Sequence, residues 1–396
     1  MMQISPETQL FIREHSSDDV RALALQAKKF PDIDMPTAIT QIAGRKVAAE
    51  KIPSWWEIEK IWYPKHLSLE QCSSEITARY KARLLQGDSL TDLTGGFGID
   101  CSFLATGFKS ATYVERQEEL CEIAAHNFPV LNLNHINIKN EDGVTYLQAM
   151  SPVDCLFLDP ARRNEHGGKT VAISDCEPNV AELEELLLQK ANRVMIKLSP
   201  MLDLSLALKE LKQTQEVHIL SVNNECKELL ILLGQTSPAE ITIHCVNLFT
   251  KGTQEEQHFV FTREQEQCSE CTYTDSLETY LYEPNASLLK AGAFRSIAAA
   301  YPVRKLHPNS HLYTSDTFIE NFPGRIFRIV NQCSFNKKEV KENLADLKKA
   351  NVTVRNFPAT VAELRKRLHL TEGGDTYLFA STLNNGQKVI IRCEKV

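Results

Sequence analysis

The sequence predicts a doubly wound α/β sheet, with a helical unit before it and a basic α+β unit after it. Between Ser89 and about Gly234, short apolar runs alternate with helical stretches, which is typical of parallel strands joined by helices. Beyond residue 324, two helical segments lie among strands, and Asn385-Gly386 between the last two strands is a strong hairpin signal. We therefore expect four segments: a helical unit (1–70), the sheet domain (71–236), a β-rich connecting region (237–324) and a basic α+β domain (325–396).

The composition is that of an ordinary globular protein. Of the 396 residues, 43% are hydrophobic and 24% are charged, so enough apolar side chains are available for large cores. No apolar run reaches the roughly 18–20 residues that a membrane span needs, and the N-terminus lacks the pattern of a secretory signal. The eleven cysteines are scattered along the chain. We expect reduced thiols in a cytoplasmic protein without membrane contact.

The N-terminal segment carries apolar residues at three- and four-residue spacing around Leu10, Val20 and Leu23, which predicts helices. Three tryptophans lie close together in this segment: Trp55, Trp56 and Trp62. They could stack on nucleic-acid bases, or they could pack the helical unit onto its neighbour. Packing is favoured because aromatic side chains usually serve cores and interfaces.

Seven strands are predicted for the sheet domain. They are Ser89–Leu93, Ala111–Glu115, Ile136–Ile138, Asp154–Leu158, Arg193–Leu198, Val217–Val222 and Glu228–Leu233. The link between the last two is too short for a parallel crossover, so we expect an antiparallel hairpin at the edge of the sheet. A further hairpin is expected from Glu240–Phe249 and His258–Thr262.

A glycine-rich segment follows the first predicted strand: Asp92-Leu93-Thr94-Gly95-Gly96-Phe97-Gly98. It lies between a strand and a helix, which is the setting of a nucleotide-binding loop, although a purely structural turn is the alternative. Glycines let the backbone turn sharply and approach a cofactor. Glu115 ends the next strand, 23 residues after Asp92, where it could hydrogen bond to a ribose diol.

Two cofactors compete for this loop. A dinucleotide fingerprint needs a third glycine where this chain has Cys101. The carboxylate of Asp92 would also repel a pyrophosphate, whereas it would attract a cation. S-adenosylmethionine has no phosphate and carries an ammonium and a sulfonium, so it fits the loop better.

On these residues the chain resembles the class I S-adenosylmethionine-dependent methyltransferases, whose sheet is Rossmann-like. Segment 92–98 is similar to their first motif, with Thr94 where a glycine is commoner, and the resemblance covers about residues 72–234. It implies that Asp142 lies against the adenine amino group. The full set of implied cofactor-binding residues is Asp92, Thr94, Gly95, Gly96, Gly98, Glu115 and Asp142.

The fourth predicted strand ends in Asp159-Pro160, at the edge of the sheet where ligands bind in such folds. Amino methyltransferases carry Asn, Asp or Ser before Pro-Pro-aromatic at this place. Oxygens of that motif accept the two N–H bonds of an amine and aim its lone pair at the methyl group, so positioning supplies most of the rate. The resemblance implies that Asp159 and Pro160 orient the methyl acceptor; a plain strand terminator is the alternative.

The chain departs from that motif at Arg162, which stands in place of the aromatic residue. Arg162 or Arg163 could stack on a base or bind a phosphate. Asp-Pro-x-Arg also resembles RNA enzymes that methylate carbon 5 of pyrimidines through a cysteine, but Ser199-Pro200 occupies the position of that cysteine here. Covalent catalysis is therefore disfavoured. Lys197 could contact substrate or form a salt bridge.

Metal binding is not expected. Cys268-x-x-Cys271, with His244 and His258 nearby in sequence, is half of a zinc motif, but no second pair follows at the required spacing. Methyl displacement itself needs no metal.

The C-terminal quarter is basic: residues 286–396 hold 18 Lys and Arg against 9 Asp and Glu. This surplus indicates either a polyanion-binding module or a merely solvated surface. Together with Tyr282–Asn285 and Leu312–Asp316, the α+β unit resembles the THUMP-like module of a group of bacterial methyltransferases, which implies RNA binding. Five lysines are expected on one helix spanning 337–349: Lys337, Lys338, Lys341, Lys348 and Lys349.

The sequence thus favours an S-adenosylmethionine-dependent methyltransferase that acts on a base of structured RNA (rRNA or tRNA), at an amine nitrogen. Asp159, Pro160 and Arg162 are the predicted acceptor-site residues. Three alternatives stay open: a methyltransferase for a protein or small molecule, a methyltransferase-shaped RNA-binding adaptor without catalysis, and a nicotinamide oxidoreductase. Asp92 and Cys101 disfavour the third.

Overall fold

The computed structural model describes residues 4–162, 172–236, 238–253 and 256–396. The chain divides into two compact units, the first comprising residues 1–215 and 230–238 and the second residues 216–229 and 239–396. Each unit has its own hydrophobic clusters. Within these described ranges, no helix combines the length and the apolar character needed to cross a lipid bilayer.

The first unit begins with short helices, as predicted. They are α1 (Pro6–Glu14), α2 (Val20–Leu25), α3 (Met35–Lys51), α4 (Pro53–Trp56), α5 (His66–Gln71) and α6 (Glu75–Ala82), with a 3-10 turn at Ala27–Lys29. Ser5, Asp19 and Asp34 cap α1, α2 and α3 by accepting hydrogen bonds from backbone N–H groups of the first turn. An apolar cluster holds these helices together: Phe11, Leu23, Met35, Ala38 and Ile42.

Two of the three tryptophans pack inside the first unit. Trp55 is 2% exposed and meets the ring of Phe97 edge-on, with ring centroids 5.2 Å apart. Trp62 stacks on His126 at a centroid distance of 3.7 Å. Only Trp56 keeps a substantial exposed surface. The packing interpretation is confirmed for Trp55 and Trp62.

Strands and helices then alternate. They are β1 (Ser89–Asp92), α7 (Ile99–Ala105), β2 (Ser110–Glu115), α8 (Glu118–Val130), β3 (Ile136–Asn140), α9 (Gly143–Ala149), β4 (Val153–Leu158), β5 (Ala161–Arg162), a 3-10 turn (Ile173–Asp175), β6 (Cys176–Glu177), α10 (Val180–Lys190), β7 (Ala191–Leu198), α11 (Leu204–Glu210), β8 (Thr214–Val222) and β9 (Glu225–Gly234). The predicted α/β alternation is therefore confirmed.

In the first unit, the sheet has the strand order β7-β4-β1-β2-β3, and the pairings of these neighbours are parallel. The register places Asp92, at the end of β1, beside Tyr113 of β2 and Phe157 of β4. The order reverses at β1, with β4 on one side and β2 on the other. Ligands of doubly wound sheets bind in the crevice at such a reversal, beyond the carboxyl ends of the strands.

The second unit contains the remaining elements. They are β10 (Thr242–Leu248), β11 (Glu256–Thr262), α12 (Arg263–Cys268), β12 (Tyr280–Pro284), α13 (Ala286–Ala291), α14 (Ser296–Ala300), β13 (Arg304–Lys305), β14 (Tyr313–Ser315), β15 (Gly324–Ser334), α15 (Lys337–Leu344), β16 (Asn351–Val354), α16 (Val361–Leu368), β17 (Thr376–Thr382) and β18 (Lys388–Lys395).

Within the second unit, β10 and β11 add two strands beside β8. Four strands follow the order β11-β10-β8-β9, so the predicted hairpin of β8 and β9 has β10 on the far side of β8. Strand β10 runs parallel to β8 over seven residues, and β11 pairs with β10 in the predicted antiparallel hairpin. Because β10 is buried along most of its length, it belongs inside a sheet and not in a separate surface hairpin.

A second sheet has the order β13-β14-β12-β15-β18-β17-β16. The hairpin of β17 and β18 turns at Asn385-Gly386, as predicted, with Gly386 at a φ of +86°. The predicted helix 337–349 was too long, since α15 ends at Leu344. The backbones of Lys349 and Ala350 pair with Thr371 instead, and this bridge takes Lys348 and Lys349 out of the helix.

Candidate active site

The loop after β1 is built around the buried Asp92, which is 1% exposed. Its Oδ1 accepts a hydrogen bond of 2.9 Å from the backbone N–H of Thr94. Burial raises the pKa of Asp92 to about 8, and the Thr94 hydrogen bond opposes this shift. Three nearby carboxylates raise the pKa further: Asp100, Asp159 and Glu115. Asp92 therefore lies in a surplus of negative charge.

The glycines of the loop are required by its geometry. Gly96 and Gly98 have φ values of +53° and +86°, a region that side chains disfavour. A Cβ on Gly95 would lie 2.3 Å from the ring of Tyr113. The Tyr113 hydroxyl donates a hydrogen bond to the carbonyl of Gly96 at 2.5 Å. The three predicted glycines thus shape the backbone beside Asp92.

Glu115 closes the other side of this loop. Its Oε2 accepts from the backbone N–H of Gly96 at 2.9 Å, and its Oε1 accepts from that of Gln117 at 2.8 Å. A carboxylate offers about four acceptor positions, so each oxygen can take one more hydrogen bond. Glu115 can therefore bind both hydroxyls of a diol while it stays anchored to the loop.

Asp142 has a capping role. Its Oδ1 accepts from the backbone N–H groups of Val144 and Thr145 at 3.1 and 2.9 Å, which starts α9. The residue is exposed. Its neighbour Gly143 touches the glycine-rich loop, because a Cβ there would lie 2.2 Å from the Leu93 carbonyl oxygen. Asp142 thus lies next to the loop, with one oxygen engaged in the cap.

Asp159 and Pro160 follow β4 and are joined to the glycine-rich loop by one hydrogen bond. The backbone N–H of Asp159 donates to the hydroxyl of Thr94 at 2.6 Å. The Asp159 carboxylate forms an ion pair with Lys197 at the end of β7. Burial raises the pKa of Asp159, and Lys197 opposes that shift. Thr94, which departs from the commoner glycine, is therefore the link between the two predicted loops.

Arg162 is only partly described. Its backbone lies in β5, opposite Cys176 of β6. Its side chain and all of Arg163 lie outside the described residues. The predicted contact of Arg162 with a base or phosphate stays a prediction.

A buried ionic network, which sequence reasoning missed in part, lies behind Asp159. Lys81 of α6 is fully buried and pairs with Asp100 of α7 at 3.0 Å. Lys197 reaches the other oxygen of Asp100 at 3.3 Å. The hydroxyl of Ser73 donates to Asp100 at 2.7 Å and accepts from Lys81 and Lys197 at 2.9 and 3.1 Å. Lys197 thus forms the salt bridge that was one of its two predicted roles.

The acidic side chains of this region differ in whether a lysine neutralises them. Burial raises the pKa of Asp100, but Lys81, Lys197 and the Ser73 hydrogen bond outweigh it and hold the pKa at about 2. The two lysines serve Asp100 and Asp159, whereas no cationic side chain among the described residues pairs with Asp92 or Glu115. The carboxyl ends of β1 and β2 therefore present two acidic side chains that have no counter-ion among the described residues, an arrangement that favours a cationic ligand.

The predicted basic surface is present in the second unit. Among the lysines of α15, Lys337, Lys338 and Lys341 are exposed. On α16, Lys366 is exposed, whereas Arg365 pairs with Glu372 at 3.0 Å. The guanidinium of Arg367 lies 4.0 Å from the ring centroid of Phe335. The free positive charge thus comes chiefly from lysines.

The second unit matches two known domain families. A family described as a ferredoxin-like domain matches residues 280–323, and a family described as THUMP domain-like matches residues 324–395. A search of curated proteins gives no match.

One solved structure is similar over the whole chain. The crystal structure of a candidate methyltransferase from Porphyromonas gingivalis W83 has 33% sequence identity and a TM-score of 0.87, with 100% of both chains covered. Two other structures match 40% of this chain at 14% identity and TM-scores of 0.30. They are an rRNA methylase from Streptococcus thermophilus, 93% covered, and a candidate methyltransferase from Streptococcus mutans in complex with SAH, 96% covered.

Proposed function

Because the chain belongs to the class I S-adenosylmethionine-dependent methyltransferase family with a C-terminal THUMP-like domain, we propose that it transfers a methyl group from S-adenosylmethionine to structured RNA. The acceptor in this proposal is an amine nitrogen of a base in rRNA or tRNA. The single observation that carries the proposal is the buried carboxylate of Asp92, which lacks a cationic partner among the described residues.

The charge of the site supports a sulfonium cofactor. S-adenosylmethionine supplies an ammonium and a sulfonium to a region that holds the acidic side chains of Asp92 and Glu115. The backbone is open at Gly96, where the nearest atom to a Cβ would be the Thr94 carbonyl oxygen at 3.8 Å, and Glu115 has acceptor positions for the ribose hydroxyls. A dinucleotide would instead place its pyrophosphate against Asp92, which costs electrostatic free energy. The site therefore favours the sulfonium cofactor over NAD.

The acceptor is assigned to Asp159 and Pro160. Asp159 uses one carboxylate oxygen for Lys197, so its other oxygen can accept from an amine N–H. The Thr94 hydroxyl fixes the Asp159 backbone against the cofactor loop. An amine held between this oxygen and a carbonyl at Pro160 would present its lone pair to the methyl group, with positioning as the main source of rate acceleration.

The RNA substrate is inferred from the second unit. Exposed lysines of α15 and α16 provide the positive surface that phosphate groups need, and the THUMP-like match covers both helices. A protein or small-molecule acceptor would leave this surface without a role. Radiolabelled methyl transfer from S-adenosylmethionine into total RNA, with total protein as the parallel acceptor, tests the proposal directly. Label in protein alone would contradict the RNA assignment.

Replacing Asp92 tests the cofactor site. We expect Asp92→Asn to weaken S-adenosylmethionine binding about ten- to a hundredfold, because a charge-assisted hydrogen bond to the ligand is lost. Calorimetric titration measures this, with NAD as the comparison ligand that should bind neither protein. The free variant should be at least as heat-stable as the wild type at pH 8. In the wild type, folding raises the Asp92 pKa from 3.8 to about 8, so its contribution to stability falls as pH rises through that interval.

Cofactor affinity should depend on pH. Below pH 8 the free protein holds a proton on Asp92, and a cationic ligand must displace it. The binding constant for S-adenosylmethionine is therefore expected to rise up to about tenfold per pH unit between pH 6 and 8 and to level off above that. Titrations in buffers of different ionisation enthalpy should show proton release on binding. Asp92→Asn should give a flat profile, and an equally flat profile in the wild type would contradict this account of the site.

The lysines of α15 should control RNA affinity. We expect Lys337→Glu combined with Lys341→Glu to weaken binding to a labelled tRNA pool and to reduce the slope of log affinity against log salt by about one per lost phosphate contact. The matched control is Lys28→Glu with Lys60→Glu, which reverses two exposed lysines of the first unit. Equal losses in the two double variants would show that only net charge matters.

A further inference from the structure

Three polar residues of the second unit converge on one face of the sheet. Glu216 and His218 stand two residues apart on β8, and His244 lies opposite His218 in the parallel register of β8 and β10. Residues two apart on a strand share a face, so all three side chains project to the same side. The rings of His218 and His244 are nearly parallel, at 5° and 4.3 Å between centroids.

The ligand atoms of this cluster have a spacing close to that of a cation site. Glu216 Oε2 lies 3.3 Å from His218 Nε2 and 4.0 Å from His244 Nε2, and the candidate ligand atoms all lie within 4.8 Å of one another. A tetrahedral zinc ion with bonds of about 2.0–2.1 Å separates its ligand atoms by about 3.4 Å. Small side-chain rotations would therefore bring the three atoms to bonding distance.

His258 completes the arrangement from β11. Its Nε2 lies 3.2 Å from Nδ1 of His244, the nitrogen that faces away from Glu216. A metal-binding histidine usually hydrogen bonds through its other ring nitrogen, which fixes the ring orientation. His258 thus occupies the place of a positioning residue for His244.

We propose that Glu216, His218 and His244 bind a divalent transition-metal ion, for which Zn²⁺ is the probe. Two imidazole nitrogens and one carboxylate oxygen form a ligand set that zinc accepts, and they leave a fourth position open. Access comes from the partly exposed side chains of Glu216 and His244, at 32% and 19%, whereas His218 forms the buried wall. The ion would link β8 to β10. This site is independent of methyl transfer.

Metal content and thermal unfolding of the full-length, chelator-stripped protein test the site. We expect one equivalent of Zn²⁺ to bind and to raise the Tm by a few degrees. Glu216→Gln and His244→Gln should lose both effects, and His258→Asn should weaken affinity about ten- to a hundredfold. X-ray absorption at the zinc edge should show nitrogen or oxygen neighbours at about 2.0–2.1 Å and no sulfur at about 2.3 Å.

Two controls separate this site from other binding. Cys268→Ser with Cys271→Ser removes the Cys-x-x-Cys thiol pair, and His126→Gln removes a histidine of the first unit. Both proteins should keep the zinc equivalent and the Tm shift. The proposal is overturned if the wild type binds no zinc, if His244→Gln binds as much as the wild type, or if the double cysteine variant loses the ion. None of these readouts depends on methyltransferase activity.

Discussion

The Asp159→Ala protein is expected to lose about a hundred- to a thousandfold of its methyl transfer while it keeps its affinity for S-adenosylmethionine. The alanine removes the oxygen proposed to orient the acceptor amine, and misplacement of a reacting group by about 1 Å already costs about a hundredfold. Asp159 hydrogen bonds to the cofactor loop through its backbone N–H, which alanine retains, so the cofactor site should survive. Radiolabel incorporation into total RNA and calorimetric titration measure the two quantities.

Asp159→Asn is the matched control, because asparagine keeps one accepting oxygen and removes the charge. We expect it to retain more methyl transfer than Asp159→Ala, since an amide oxygen can accept from both Lys197 and an amine. If Asp159→Ala transfers methyl groups as fast as the wild type, the acceptor site has been assigned to the wrong residue. If the wild type binds RNA and cofactor but transfers no label to any acceptor, the chain is a methyltransferase-shaped adaptor.

The Asp100→Asn protein is expected to unfold more easily by about 3–5 kcal/mol. Asp100 is the shared partner of Lys81 and Lys197, and Lys81 is fully buried. Removing one member of a buried ion pair leaves the other charge buried without a partner, and this strongly destabilises the folded state. Urea unfolding of the free protein at pH 7 measures the difference, provided that the unfolding transition remains two-state.

Asp88→Asn is the control, since Asp88 pairs with Lys109 at 2.8 Å and both side chains are more than two thirds exposed. Exposed pairs contribute about 0–1 kcal/mol, so this variant should be nearly as stable as the wild type. The folded-state pKa of Asp100 is about 2, below the ordinary 3.8. Its stabilisation is therefore present above pH 4 and lost as pH falls through 2, and the excess destabilisation of Asp100→Asn should shrink over that interval.

The ends of β1 and β4 could be predicted from sequence because a short predicted strand ends at or next to an acidic residue in both places. That pattern is local, and parallel strands bring their carboxyl ends to one edge of the sheet. It places Asp92 and Asp159 near each other without knowledge of side-chain packing. The structure adds the Thr94 hydroxyl between them, a contact across 65 residues that no spacing rule predicts.

The buried ionic network around Asp100 also depends on contacts between residues distant in sequence, so it could not be predicted. Lys81 and Asp100 lie on different helices, and helical periodicity reports which residues share a face of one helix, not which faces of two helices meet. A lysine on the buried side of α6 was the available signal. The cluster of Glu216, His218 and His244 could not be predicted either, because the sequence does not show that β8 and β10 pair. That pairing places His244 opposite His218. The predicted length of α15 was too great because the helical spacing of apolar residues continues past Leu344 in the sequence. In the structure, the backbone of Lys349 pairs with that of Thr371, a contact distant in sequence.

The hydroxyl of Thr94 has a thermodynamic consequence for substrate order. If the cofactor binds beside Asp92 and the acceptor beside Asp159, as proposed, a ligand that orders one of these segments would also restrain the other through Thr94, which hydrogen bonds to both residues. The second ligand would then bind to a segment that is already ordered, so its binding would cost less conformational entropy of the protein. Donor and acceptor should consequently bind with positive heterotropic cooperativity, and by reciprocity each should tighten the other by the same factor.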